Sequence, residues 1–183
     1  MKKSVREWLT RATAWLHTHR TVLLVLVAAF AADRVTKEWA RTVLVQGARV
    51  VCPFFHLRYV ENTGAAFGMM QGGNWVLIGV MLGIIGYVLV NWKELCAQGA
   101  WAKWGSVLIL AGALGNLYDR IVLGYVVDFL DFLVWPVFNV ADSVITVGAG
   151  CFIISLLLNW KQKQEENEKD ILSGNCCVRV GGL

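Results

Sequence analysis

Phe138-Asn139-Val140-Ala141-Asp142-Ser143-Val144-Ile145-Thr146-Val147-Gly148-Ala149-Gly150-Cys151-Phe152-Ile153-Ile154-Ser155-Leu156-Leu157-Leu158-Asn159-Trp160 is an apolar run that opens on an amide and an acid. A hydrocarbon core of about 30 Å needs about 20 mainly apolar residues in one helix, and this stretch has that length. Asn139 and Asp142 are three residues apart and share a helical face at its start. The helix macrodipole favours an acid in the first turn, so Asp142 taken alone reads equally well as a cap-region residue or as a reactive group.

Working outward, three further runs carry the same signature: Thr21 to about Leu44, Trp75 to Trp92, and Trp104 to about Leu117 or a little beyond. The whole chain agrees with them. It has 183 residues, is 57% hydrophobic and only 16% charged, and its mean hydropathy is +0.55. That mix is too apolar for an ordinary soluble domain. Nine Trp suit helix ends at the headgroup level, and a net charge of +4 suits a protein facing anionic lipid. Lys and Arg are scattered rather than massed in one stripe, so nucleic acid is not implied.

The first run could be misread as a cleavable signal peptide, because Lys2, Lys3 and Arg6 precede an apolar stretch ending in Ala29-Phe30-Ala31. The amino-terminal region is too long for that, and Asp33, Lys37 and Arg41 continue one helical stripe. Lys2, Lys3, Arg6, Arg11 and Arg20 precede the first span, and the link from Lys93 to Lys103 adds two more cations. The positive-inside rule then puts both termini in the cytoplasm, with residues 45–74 and 118–137 on the opposite, periplasm-like face. Residues 1–20 form an amino-terminal segment, 21–160 the membrane domain, and 161–183 a flexible cytoplasmic tail. Arg49 to Val60 mixes β-branched and aromatic residues around Pro53 and reads as short strands lying on the membrane.

Ionisable groups in or beside a bilayer need a reason, since each costs about 2.5 to 3.5 kcal/mol at a helix centre. Asp33 and Lys37 are one turn apart in the favourable order for an ion pair, which could serve neutralisation alone. Asn116, Asp119 and Arg120 place an amide, a carboxylate and a guanidinium at the end of the third run. Asn116 and Arg120 read mainly as organisers of substrate backbone or a neighbouring carboxylate. Gly124 to Phe132 sets Asp128 and Asp131 among bulky apolar residues, as a short segment half sunk in the interface would.

Weighed together, Asp128 and Asp142 near one membrane face, flanked by Asn116 and Asn139 and walled by apolar residues, can share a proton. Two facing carboxylates in a low dielectric do not both ionise easily. One then serves as base towards a water and the other as acid towards the leaving amine. Other peptide-bond chemistries lack their residues: there is no H-E-x-x-H, and His17, His19 and His56 lie outside the spans. Ser106 has no intramembrane His to activate it. The five Cys, at 52, 96, 151, 176 and 177, have neither C-x-x-C spacing nor a nearby zinc-type His. No cofactor or metal is expected.

Five ordered blocks carry a resemblance. They are Asp33-Arg34-Val35-Thr36-Lys37, Asn62-Thr63-Gly64-Ala65-Ala66-Phe67-Gly68, Gly112 to Arg120, Val126-Val127-Asp128-Phe129, and Phe138 to Ser143. Over nearly all of Thr21 to Trp160 the chain resembles the lipoprotein signal peptidases (signal peptidase II). The resemblance implies a membrane all-α fold, a four-transmembrane-helix bundle with a small periplasmic β-cradle at about residues 45–74. It implies a catalytic dyad of Asp128 and Asp142 in an aspartic endopeptidase of the inner membrane. Support would come from Asp33, Lys37, Asn62, Gly64, Asn116, Asp119, Arg120, Asn139 and Ala141. The substrate would be a prolipoprotein whose Cys already carries diacylglycerol, cut on the amino side of that Cys. Sensitivity to globomycin-type inhibitors and a monomeric state belong to the same expectation, and the Asn62 to Gly68 loop would be a lid. The link from Asp128 to Asp142 is shorter than in the family pattern.

Two other classes compete. A proton or ion pathway also uses intramembrane Asp, Lys and Arg, although four spans without a repeat suit it poorly. A non-catalytic scaffold accounts for the helices but leaves the polar blocks without a purpose. Within the enzyme reading, Asp119 is the rival of Asp128, since it sits beside Arg120.

Overall fold

The structure, a computed structural model, describes residues 2–64 and 73–172, with side chains from 19 to 64 and from 73 to 169. Among the described residues, five helices and three strands follow one another. They are α1 (Lys2–Val43), β1 (Arg49–Cys52), β2 (Phe55–Asn62), α2 (Asn74–Val90), α3 (Trp92–Ala97), α4 (Ala100–Val122), β3 (Val126–Asp131) and α5 (Val140–Leu172). A single 3-10 turn at Leu44–Gln46 ends α1.

The helix α4 lies at the centre, packed on α1, α2 and α5, most extensively on α5. Glycine makes the α4–α5 approach possible. A Cβ on Gly105 would sit 2.7 Å from the Gly148 carbonyl oxygen, a Cβ on Gly148 would sit 2.7 Å from that of Gly105, and one on Gly112 would collide with the Ala141 carbonyl. Small residues let two backbones approach where neighbouring lipid gives no hydrophobic drive for association. Leu24, Val27, Leu82, Leu89, Ile153 and Leu157 point outward and are exposed. Among the described residues, the stretch Val140–Lys169 of α5 is long and apolar enough to cross a membrane, while α2 is apolar but shorter.

The sheet departs from expectation. Strands occur in the first extramembrane segment, but the sheet has a third member, in order β1-β2-β3 and antiparallel throughout. That member, β3, is the stretch read above as a segment half sunk in the interface. Its residues Val126, Val127, Asp128 and Phe129 are all buried, so it lacks the period-2 alternation that marks a half-exposed strand. Val127 and Phe129 pack with Ala40 and Leu44 in a core between sheet and α1.

Helix ends also differ. Helix α1 begins at Lys2 rather than near Thr21, and α5 runs to Leu172, so residues 161–172 of the expected flexible tail are helical. That extension is rich in Lys, Gln and Glu, good helix formers, and carries a Lys161–Glu165 pair at i, i+4. Cys176 and Cys177 lie outside the described residues, as do Ala65 to Gly68 of the expected lid.

Candidate active site

Asp128 and Asp142 come from different elements, the middle of β3 and the first turn of α5. The short link between them closes as a β-bridge. Phe138 accepts from the Leu130 amide at 2.8 Å and donates to the Leu130 carbonyl at 3.1 Å. Leu133 takes the left-handed conformation (φ 64°) in the turn, and the Phe138 ring stacks on Phe132. The bridge sets Asn139, one residue on, against Asp128.

Asn139 caps α5. Its Oδ1 accepts from the Asp142 amide at 2.9 Å, and Asp142 Oδ2 accepts from the Asn139 amide at 3.2 Å. That reciprocity is a capping box, so the cap reading of Asp142 and its place beside Asp128 hold together. The side-chain amide of Asn139 also donates to Asp128 Oδ1 at 2.7 Å and to Asn116 Oδ1 at 3.1 Å. One residue thereby touches both acids.

Three asparagines are oriented by the same logic. Asn62 Oδ1 accepts from the Gly64 amide (3.0 Å), Asn116 Oδ1 from Lys37 Nζ (2.7 Å), and Asn139 Oδ1 from the Asp142 amide. Each of those partners can only donate, so each carboxamide oxygen is committed and each NH2 must face the other way. The other way is the acid pair: Asn62 Nδ2 reaches Asp128 Oδ2 at 2.8 Å and Asn116 Nδ2 reaches Asp142 Oδ1 at 2.7 Å. Asn62 can do so because Val60 pairs with Asp128 and Asn62 with Val126, which makes Asn62 and Asp128 diagonal neighbours on one sheet face. All four carboxylate oxygens thus accept an N–H.

Lys37 is fully buried and stands 3.0 Å from Asp33 Oδ2 and 2.9 Å from Asp119 Oδ2. Asp33 in turn accepts from the Ala141 amide at 3.0 Å, in the first turn of α5. Room for that carboxylate exists because residue 115 is glycine, where a Cβ would lie 2.6 Å from Asp33 Oδ2. Asp119 does not face the cavity. Fully buried, it pairs with Arg34 and Lys37 and accepts from the Val127 amide at 3.2 Å, clamping β3 to α1 and α4. The three polar residues at the end of α4 therefore diverge, with Asn116 and Arg120 turned to the cavity and Asp119 to α1. Arg120 donates to the Gly64 carbonyl at 2.7 Å and to Asn74 Oδ1 at 3.2 Å, tying the end of β2 to the start of α2.

Both acids border one cavity of about 340 Å³, walled also by Leu77, Met81 and Ile145 and roofed by Trp135 and Pro136. Burial, and next the charge of Asp142, push the Asp128 carboxyl up to about 7, against the amides of Asn62 and Asn139 that favour its charged form.

The sequence motif described as signal peptidase (SPase) II matches residues 25–158 of this chain. The chain belongs to the signal peptidase II family. It is 41% identical to a lipoprotein signal peptidase of Desulfitobacterium hafniense over 144 residues, covering 74% of this chain and 92% of that one. It is 38% identical to that of Pelotomaculum thermopropionicum over 151 residues, covering 81% and 98%. Two solved structures described as bacterial membrane enzymes superpose with TM-scores of 0.68 and 0.63 at 30% identity, covering 78% and 75% of this chain and 91% and 92% of theirs. Family membership marks the chain as a protease of a bacterial membrane.

Two residues of the site escaped sequence reading. Arg34 stood inside a quoted block but was not singled out, though it is the partner of Asp119. Asn74 both receives Arg120 and donates to its carbonyl at 3.2 Å. An amide immediately before an apolar run was the available signal for Asn74; Arg34 has none, because its partner is 85 residues away.

Proposed function

We propose that this protein removes the signal peptide from diacylglyceryl-modified prolipoproteins, cutting before the lipidated Cys with water activated by Asp128 and Asp142. The observation that carries the reading is the pair of carboxylates on one cavity, each held by amide N–H groups and joined through Asn139. Asp142 serves as the carboxylate of the pair and takes a proton from water as the oxygen attacks the scissile carbonyl. Protonated Asp128 donates to the carbonyl oxygen, stabilising the tetrahedral intermediate. The proton on Asp142 then passes to the leaving amine as the C–N bond breaks, and ionised Asp128 takes a proton back from a hydroxyl of the collapsing intermediate. Asp33 and Lys37 act behind Asn116 and Ala141, and Arg120 holds the Gly64 turn at the cavity mouth.

The topology of this reading has four membrane crossings by α1, α2, α4 and α5, both termini in the cytoplasm and the sheet at the periplasmic face of the inner membrane. Exposed apolar side chains on α1, α2 and α5 support it. Acyl chains of the substrate add about 0.8 kcal/mol per buried CH₂, which holds it at this interface. Cleavage of a lipid-modified precursor by purified protein is the direct test. Asp128→Asn and Asp142→Asn should each abolish turnover while leaving protein level and substrate capture intact, and globomycin should inhibit the wild type. Near-normal turnover in either variant would remove the dyad.

A further inference from the structure

A second cavity, of about 320 Å³, lies on the α1 side of α4, away from the acids. Arg34, Glu38 and Arg41 line it from successive turns of α1. Phe30, Val122 and Leu123 supply its apolar lining. The Arg34 guanidinium carbon stands 4.6 Å from the centre of the Tyr118 ring, which is half-exposed. Exposed Glu38 and half-exposed Arg41 meet only at 3.3 Å, and a surface pair of this kind contributes little by itself.

We infer that this cavity binds one membrane phospholipid with a zwitterionic headgroup carrying a primary amine. Two guanidinium groups and one carboxylate match a phosphate and an ammonium in number and sign. Arg34 uses Nη1 on Asp119 and keeps further donors in its fork, so it can serve a phosphate as well. Glu38 takes the ammonium, and Phe30, deeper along α1, meets the start of the acyl chains. The cavity sits at the end of α1 that the proposed topology places outward, so the site is in the outer leaflet. The site also adjoins the chemistry: Arg34 holds Asp119, Asp119 faces Lys37, and Lys37 orients Asn116 on Asp142.

The inference rests on the membrane topology proposed above and not on the cleavage chemistry, so its readout is lipid retention. Full-length protein in detergent would be offered phosphatidylethanolamine, phosphatidylcholine and phosphatidylglycerol, and retained lipid measured by native mass spectrometry. The primary-amine lipid should be held about tenfold more tightly than the quaternary one, which cannot donate to Glu38. Glu38→Gln should erase that preference, and Arg41→Gln should weaken all three lipids alike. Glu38 is exposed and Arg41 half-exposed, and neither borders the cavity of the two acids, so folding and cleavage in detergent stay intact. Millimolar inorganic phosphate should not displace the lipid; displacement would make free phosphate the ligand and overturn the lipid assignment. Equal retention of the three lipids, or a preference that survives both substitutions, would also overturn it. Loss of cleavage in the wild type would instead count against the proposed function.

Discussion

Asp128 carries the clearest pH signature in the molecule. Its carboxyl, ordinarily near 3.8, is held up to about 7 by burial and by Asp142. If it works as the acid, kcat/KM falls as pH rises through about 7. Asn62→Leu removes a donor that favours the charged form, so this alkaline limb should move up by about one pH unit in rate profiles. An unmoved limb would free Asp128 from the acid role. The sign for stability follows from the same shift. A folded-state value above the unfolded one means that the native protein holds the extra proton, so the stability Asp128 contributes is fully present below about 4 and is lost as pH rises through about 7. Thermal unfolding in detergent across that window should show the decline, and Asp128→Asn should flatten it. The asparagine orientations belong at this scale too. Asn62, Asn116 and Asn139 present donors to the acids because Gly64 N–H, Lys37 and Asp142 N–H hold their oxygens.

Between elements, the decisive contacts are those of α4 with its neighbours. Gly115→Ala would place a methyl 2.6 Å from Asp33 Oδ2 and push that carboxylate off the Ala141 amide. We expect a loss of about 1 to 3 kcal/mol in stability together with reduced turnover, read by thermal unfolding and the cleavage assay. Normal activity with an unchanged melting temperature would show that α5 does not depend on Asp33 for its position. The β3 strand depends on Asp119 through the Val127 amide. Asp119→Asn leaves Lys37 and Arg34 short of a counter-charge, and breaking such a buried pair costs about 3 to 5 kcal/mol. Stability should fall while kcat of the folded fraction survives. A stable, substrate-binding but inactive Asp119→Asn protein would instead restore Asp119 as the rival of Asp128.

At the scale of the whole molecule, the apolar runs announced the long helices because a 30 Å hydrocarbon layer demands length and composition that any reader of the chain can count. The polar residues announced themselves by being costly where they stood. Sequence by itself therefore determined the helical membrane class, the family through five ordered blocks, and the two candidate acids. It did not determine β3, since Val126 to Phe129 is buried on both faces and shows no alternation to read. Nor could it separate Asp119 from Asn116 and Arg120, because an i, i+3, i+4 stripe is wide enough for one member to turn towards α1 while the others face the cavity. Only the tertiary structure decided which acid is tied down in ion pairs, which amide faces which oxygen, and how a short link folds back through the Leu130–Phe138 bridge. Those are matters of partners far apart in the chain, and hydrogen-bond direction becomes definite only when each donor has met its acceptor in space.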